Sequence, residues 1–204
     1  MIVIVDYKMG NLGSISNIIK KIGHKSIITS DPSIISSAEK IILPGVGHFE
    51  KAMQNLSDLN LIEVLTDKAL IQQIPILGIC LGMQLLTSFS EEGNVKGLNW
   101  INAKTEKFKL EEFPELKIPH MGWNEVSIPN QQSICENLDN ESRFYFVHSY
   151  HVVCENNENI LMTTKYGNDF TSAIIKDNIM GVQFHPEKSH KFGIQLFKNF
   201  IEKC

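Results

Sequence analysis

A cysteine between two glycines, in Gly78-Ile-Cys80-Leu-Gly82, is the first feature of this chain that could do chemistry. It follows the apolar stretch Ile74–Ile79, so we expect it where a buried strand turns into a helix. The spacing matches the G-x-nucleophile-x-G elbow, with cysteine in place of serine. A helix N-terminus there would favour a thiolate, and free backbone N–H groups could hold an oxyanion. The pentapeptide fits a buried structural cysteine with packing glycines equally well.

A nucleophilic cysteine needs a base and a group that orients the base, and Val182-Gln-Phe-His185-Pro-Glu187 offers both. Pro186 favours an extended backbone at His185. Extended residues two apart point to the same side, so Glu187 can bond one imidazole nitrogen and leave the other for the thiol. Alone, this segment is also compatible with a solvated carboxylate beside a capping histidine. No serine lies in a comparable elbow, which disfavours a serine hydrolase.

Other residues compete for a part in the chemistry. A second glycine loop, Pro44-Gly45-Val46-Gly47, lacks the lysine of a phosphate-binding loop, and we interpret it as a turn whose N–H groups face the same crevice. Among the remaining histidines, His120 and His148 are predicted to line a cleft and His151 to lie just beyond it. His24 and His190 are predicted to be surface residues.

Composition narrows the class of protein. The chain has 204 residues with a net charge of −4 and no long basic run, which argues against a nucleic-acid partner. Its most apolar window, Ile74–Leu86, is shorter than the roughly 20 residues that span a bilayer. The N-terminus has no signal-peptide pattern, so we expect a cytoplasmic protein without a membrane partner. The other cysteines (Cys135, Cys154 and Cys204) show no metal-binding spacing and are interpreted as structural, so no metal site is expected.

The first half of the chain alternates apolar β-branched runs with helical patterns, which predicts a parallel sheet with helices on both faces. The predicted strands are 2–5, 26–29, 40–43 and 75–79, and the predicted helices are 15–22 and 61–74. The second half predicts antiparallel hairpins joined to the sheet's edge, at 144–147, 150–154, 160–164, 172–175 and 180–184. A final helix is predicted at 192–201. With no linker or repeat, we expect one domain over residues 1–204.

Taken together, these motifs resemble the class I (triad) glutamine amidotransferases, whose fold is a flavodoxin-like, mostly parallel α/β sheet with an antiparallel extension. The order and spacing of Pro-Gly-Val-Gly, Gly-Ile-Cys-Leu-Gly-Met-Gln and Phe-His-Pro-Glu-Lys-Ser carry the resemblance. Three further segments, 6–12, 120–124 and 145–150, are similar to the branch of glutaminase subunits that serve histidine biosynthesis. The resemblance covers essentially the whole chain.

The resemblance implies a role for each matching residue. Cys80 would be the nucleophile, His185 the general base and acid, and Glu187 the group that orients the histidine. The oxyanion hole would use N–H groups at Val46 and Leu81. Positions around bound L-glutamine would be Gly47, Gln84, Glu92, His148 and Ser149, and positions near a partner interface would be Asn11, Trp123, Tyr145 and Lys188.

The resemblance also implies a partner, with no cofactor. Ammonia released from glutamine would pass to a separate HisF-like (β/α)8-barrel synthase. Lys8 departs from the family, which usually has glycine there, and this leaves a second branch open in which the ammonia feeds a surface-sugar pathway. Two other classes also stay open: a cysteine hydrolase that acts alone on γ-glutamyl substrates, and a non-enzymatic flavodoxin-like module that senses redox state through Cys80.

Overall fold

Strands and helices alternate through the first half of the chain in the computed structural model, which describes residues 1–129 and 131–204. The helices are α1 (Leu12–Lys21), α2 (Pro32–Ser36), α3 (Phe49–Asp58), α4 (Leu61–Thr66), α5 (Leu81–Leu85) and α6 (His190–Lys203). The strands are β1 (Ile2–Val5), β2 (Ser26–Thr29), β3 (Lys40–Gly45), β4 (Ile76–Cys80), β5 (Phe89–Ser90), β6 (Val95–Lys96), β7 (Ala103–Lys107), β8 (His120–Glu125), β9 (Arg143–His148), β10 (Tyr150–Cys154), β11 (Ile160–Tyr166), β12 (Asn168–Lys176) and β13 (Ile179–Val182).

Eleven strands of the described part form one mixed sheet, in the order β2-β1-β3-β4-β13-β12-β10-β7-β5-β6, with β11 also paired to β12. The first five strands in this order are parallel, whereas β12, β10 and β7 continue the sheet in antiparallel pairs. Strands β8 and β9 form a separate antiparallel ribbon. The predicted α/β sheet with an antiparallel extension is therefore confirmed.

Helices cover both faces of the parallel strands, because alternate residues of a strand point to opposite sides. In β1, Ile2 and Ile4 pack into a cluster with α1 and α6, while Val3 and Val5 pack into a second cluster with α2 to α5. Each fully buried aliphatic side chain stabilises the fold by about 1.5–3 kcal/mol relative to exposure. No helix of the described residues is long and apolar enough to cross a membrane.

Three expectations for the elements are wrong in detail. The helix predicted over 61–74 ends at Thr66, and Asp67–Ile71 forms a π-helical turn instead. The strand predicted to stop at Leu43 continues through Pro44 and Gly45, which pair with β4. Proline is tolerated there because β1 pairs with β3 only as far as Ile42, so no N–H is needed on that side. Strand β13, predicted among the antiparallel hairpins at the edge, lies in the middle of the sheet and runs parallel to β4. An apolar strand pattern shows burial but not direction.

Candidate active site

Cys80 ends β4 in a backbone conformation that L-residues rarely adopt, with φ 55° and ψ −109°. Such a conformation costs on the order of 1–3 kcal/mol, and it persists only where the surrounding structure enforces it. The next residue, Leu81, begins α5, so its N–H lies in the first helical turn and has no helical partner. The turn presents the cysteine at the carboxyl end of a central parallel strand, the edge at which open α/β sheets bind ligands.

The two flanking glycines are required by close packing. A Cβ on Gly82 would overlap the carbonyl of Leu43 in β3, and one on Gly78 would lie 2.7 Å from the carbonyl oxygen of Gly82. Neither glycine has positive φ; the left-handed conformation belongs to Cys80 itself. The glycines therefore let the chain fold back tightly around the cysteine.

His185 and Glu187 form a buried pair just beyond β13. The Nδ1 atom of His185 lies 2.7 Å from Oε1 of Glu187, and the two side chains are only 2% and 4% exposed. The backbone N–H of His185 donates to the carbonyl of Tyr145 in β9, at 2.8 Å, which holds the segment in place. Within the described residues, Nε2 of His185 and Oε2 of Glu187 are buried without a hydrogen-bond partner. The imidazole thus keeps one nitrogen free.

The environment of His185 favours its charged form. Burial lowers the pKa of the imidazole, but interactions with Cys80 and with the Glu187 carboxylate outweigh burial and raise the pKa to about 10. A charged imidazole with one free nitrogen can act as a general acid toward a group in the cavity.

A cavity of about 320 Å³ joins most of the residues singled out in the sequence, at the lower end of the range for small-molecule sites. The predicted residues that line it are Val46, Gly47, Cys80, Leu81, Gln84, Glu92, His148, Ser149 and His185. Pro119, Val147 and Tyr150 also line it and were missed. Glu187 does not line the cavity and lies against His185 on the far side of the imidazole from the free nitrogen.

The end of β3, just before Val46 and Gly47, is held by a tyrosine. Tyr7 is fully buried, and its hydroxyl donates to the carbonyl of Pro44 at 2.5 Å. Burial raises the pKa of this phenol, so its hydroxyl stays a donor. Gly47 has φ +111°, a conformation that favours glycine, while Val46 is 44% exposed at the mouth of the cavity.

Gln84 and Glu92 are each held by one end and offer the other to the cavity. The Nε2 group of Gln84 donates to the carbonyl of Tyr150 at 3.1 Å and to Oε1 of Gln183 at 3.0 Å. Both of its N–H donors are therefore used, and its carbonyl oxygen is left as an acceptor. Oε2 of Glu92 accepts the N–H of Phe49 at the start of α3, at 2.8 Å. An acceptor and a carboxylate on one cavity suit a ligand that carries an ammonium group.

His148 is tied into a chain of hydrogen bonds with His120. Its Nδ1 group donates to the carbonyl of Tyr150 at 2.8 Å, so its Nε2 atom accepts, and His120 Nδ1 supplies the donor at 3.0 Å. Burial lowers the pKa of His148 to about 3 and that of His120 to about 4, so both are neutral near pH 7. Because both ring nitrogens of His148 are occupied, the residue can meet a ligand only through its backbone. His120 does not line the cavity.

Three of the predicted interface residues form one cluster. The Trp123 ring, 48% exposed, lies edge-on to Tyr145, and Lys188 Nζ lies 5.5 Å from the centre of the Tyr145 ring. His190 stacks on Trp123 at 5.2 Å between centroids, a contact that the sequence did not indicate. Asn11 lies instead at the start of α1, where its side chain accepts the N–H of Ser14 at 3.4 Å.

Lys8 occupies the left-handed region, with φ 66°, and its N–H donates to Asp6 Oδ1 at 3.0 Å. This is a conformation that glycine adopts without strain.

Across the described residues, no group of three or more His, Cys, Asp or Glu side chains is arranged to hold a metal ion.

Comparison with known proteins gives consistent similarities over the full length. A family model described as "Glutamine amidotransferase class-I" matches residues 3–204. The chain is 61% identical over 204 residues to the imidazole glycerol phosphate synthase subunit HisH 2 of Methanococcus maripaludis, covering 100% of both chains. It is 47% identical over 202 residues to the HisH 2 subunit of Pseudomonas aeruginosa, covering 99% of each chain.

Solved structures share the fold at lower sequence identity. PurLQS from Thermotoga maritima superposes with a TM-score of 0.73 at 15% identity, covering 98% of this chain and 96% of that one. A glutamine amidotransferase from the same organism gives a TM-score of 0.66 at 18% identity, covering 99% of this chain and 84% of that one.

Proposed function

Since the chain belongs to the class I glutamine amidotransferase family, and within it to the family of HisH subunits, we propose that it is the glutaminase subunit of an imidazole glycerol phosphate synthase. As one domain over residues 1–204, it would hydrolyse glutamine to glutamate and pass the ammonia to a separate HisF-like (β/α)8-barrel subunit in histidine biosynthesis. The barrel would form imidazole glycerol phosphate and aminoimidazole carboxamide ribotide. The observation that carries the proposal is the strained Cys80, set in one cavity with the free nitrogen of the His185–Glu187 pair.

In the first half-reaction, the Cys80 thiolate attacks the side-chain carboxamide carbon of glutamine. The negative charge moves to the carboxamide oxygen, where the N–H of Leu81 and an N–H of the Val46 peptide stabilise it. The imidazolium of His185 gives its Nε2 proton to the departing nitrogen as the carbon–nitrogen bond breaks. Ammonia leaves, and a γ-glutamyl thioester remains on the cysteine.

In the second half-reaction, neutral His185 takes a proton from water, and the resulting hydroxide attacks the thioester carbonyl. The carbon–sulfur bond breaks, the new carboxyl group of glutamate gives its proton to solvent as glutamate departs, and the thiolate faces an imidazolium again. Glu187 stabilises the imidazolium and keeps the Nδ1 proton on its own side, so that Nε2 always faces the reaction. This positioning role is supported by its 2.7 Å contact and its burial.

Substrate recognition is assigned to groups that the fold already holds. The free carbonyl oxygen of Gln84 and the carboxylate of Glu92 are suited to the α-ammonium group of glutamine. Gly47, His148 and Ser149 are assigned to glutamine binding through their backbone groups. His148 can bind only in this way, because both of its ring nitrogens are already hydrogen-bonded.

A partner is required by the chemistry of the product. Ammonia that escapes into water is protonated and loses its nucleophilicity, so the site must open into a second protein that excludes water. Exposed apolar side chains at Met121 (61%) and Trp123 (48%) support docking on the β8–β9 ribbon. We assign Trp123, Tyr145, Lys188 and Asn11 to this interface.

Adding the partner tests the proposal. Glutamine hydrolysis by the isolated chain should be slow and should rise at least tenfold when the histidine-pathway barrel is added together with its ribonucleotide substrate. Hydrolysis that is already maximal without any barrel would contradict the proposal and would favour a hydrolase that acts alone.

One observation favours a second candidate, delivery of ammonia to a surface-sugar pathway through a different partner. Lys8 holds a left-handed conformation. The family resemblance implies glycine at this position, in a loop expected to face the partner. Reconstitution with each type of barrel separates the two candidates. Stimulation by the sugar-pathway barrel alone would move the chain to that branch.

A further inference from the structure

A glutamine side chain that carries no role in the proposed mechanism contacts the nucleophile. Gln183 follows β13 directly and is fully buried. Its Nε2 group donates to Cys80 Sγ at 3.7 Å, within the range for hydrogen bonds to sulfur. Gln183 lies two residues before His185, just past the end of the strand that pairs with β4.

The carbonyl of Tyr150 sets the orientation of the Gln183 amide through Gln84, which hydrogen-bonds to both residues. The carbonyl of Tyr150 can only accept, so the nitrogen end of Gln84 must face it. That nitrogen also donates to Gln183 at 3.0 Å, so Gln183 must present its oxygen to Gln84. Its own nitrogen is then turned toward Cys80, and no flipped assignment satisfies all three contacts.

We propose that Gln183 stabilises the Cys80 thiolate by donating a hydrogen bond to the sulfur, and that Gln84 holds it in the donating orientation. The inference rests on the proposed function, because it concerns the same nucleophile. A donor bonds a thiolate more strongly than a thiol, so the contact favours loss of the proton. As a neutral amide, Gln183 exerts this effect at every pH.

Titratable groups on several elements also face the sulfur or its cavity. His185 and Tyr7 interact with Cys80 electrostatically, and Glu92 and His148 line the same cavity. The effect of Gln183 must therefore be measured as a difference between variants that leave these groups in place.

The test is the pH dependence of Cys80 alkylation by iodoacetamide in the isolated chain, quantified by mass spectrometry of the Cys80 peptide. Gln183→Met and Gln183→Leu both fill much of the same space with apolar atoms and offer no donor to the sulfur. Both variants should move the inflection upward by at least about half a pH unit, which lowers the rate near neutral pH roughly threefold. Using two variants keeps the test decisive if one does not fold.

Ser172→Ala is the matched control. Ser172 is buried, its carbonyl accepts the backbone N–H of Gln183 at 2.8 Å, and its hydroxyl has no partner among the described residues. This control should keep the wild-type profile. Folded Gln183 variants with the wild-type inflection would overturn the inference and leave the proposed function intact. Wild-type Cys80 that reacts no faster than Cys154 or Cys204 would overturn both.

Discussion

At the scale of single residues, the site depends on contacts that leave selected atoms unpaired. His185 gives one nitrogen to Glu187 and keeps the other free, whereas both nitrogens of His148 are occupied. Burial raises the pKa of all three other cysteines, to about 11 for Cys135 and Cys154, which disfavours their thiolates near pH 7.

Glu187→Gln should lower kcat for glutamine hydrolysis by about 10²-fold with little change in KM. The amide cannot stabilise an imidazolium, so the pKa of His185 falls from its raised value and less of the histidine is protonated to release ammonia. Steady-state kinetics of the reconstituted complex measures this. Glu136→Gln, which alters an exposed pair with Lys203, is the control and should keep wild-type kcat. A Glu187 variant with unchanged kcat would refute the positioning role.

At the scale of elements, Cys80 is presented by the close approach of β3, β4 and α5. Gly78 and Gly82 make that approach possible, and Tyr7 holds the end of β3 through the carbonyl of Pro44. The β8–β9 ribbon has two different faces. Its inner side carries the His120–His148 pair, and its outer side exposes Trp123. Changes in either assembly should therefore affect the site through the backbone.

Gly82→Ala should destabilise the fold by up to about 3 kcal/mol, because the new methyl group overlaps the Leu43 carbonyl and forces α5 away from β3. The new methyl group of Gly13→Ala in α1 meets no heavy atom of the described residues within 4 Å, and this change should stabilise the helix by about 0.5 kcal/mol. Chemical denaturation of both variants measures the difference. Equal stability of the two variants would show that the elbow is not tightly packed.

Acid should destabilise the protein through the buried histidine pair. Because the folded pKa values of His120 and His148 lie at about 4 and about 3, the unfolded chain binds more protons below about pH 6.5. The stabilising contribution of these two neutral histidines is complete above that pH, and it falls by about 1.4 kcal/mol per pH unit for each histidine as the pH drops toward 4. Denaturation at several pH values measures how the free energy of unfolding depends on pH. In His120→Asn, this slope should be shallower by about 1.4 kcal/mol per pH unit. An unchanged slope would exclude His120 as a source.

At the scale of the whole molecule, the sheet brings together residues that lie more than 100 positions apart. The buried strands, the cysteine elbow and the His185 segment were predictable, because apolar runs and glycine or proline positions are local signals. The ribbon strand β8 was not predicted, since His120–Glu125 is rich in polar residues and becomes a strand only by pairing with β9. The parallel placement of β13 and the contact of Gln183 with Cys80 depend on partners distant in sequence, which no local pattern encodes.

The most direct measurement compares two nitrogen sources in the complex reconstituted with the barrel, using Cys80→Ala and Cys80→Ser. Both variants should lose glutamine-dependent synthesis by at least 10³-fold, because no thioester can form, while ammonium salts still support synthesis at the wild-type rate. Glutamine-dependent synthesis that survives in either variant would contradict the account, since Cys80 would then not be the nucleophile.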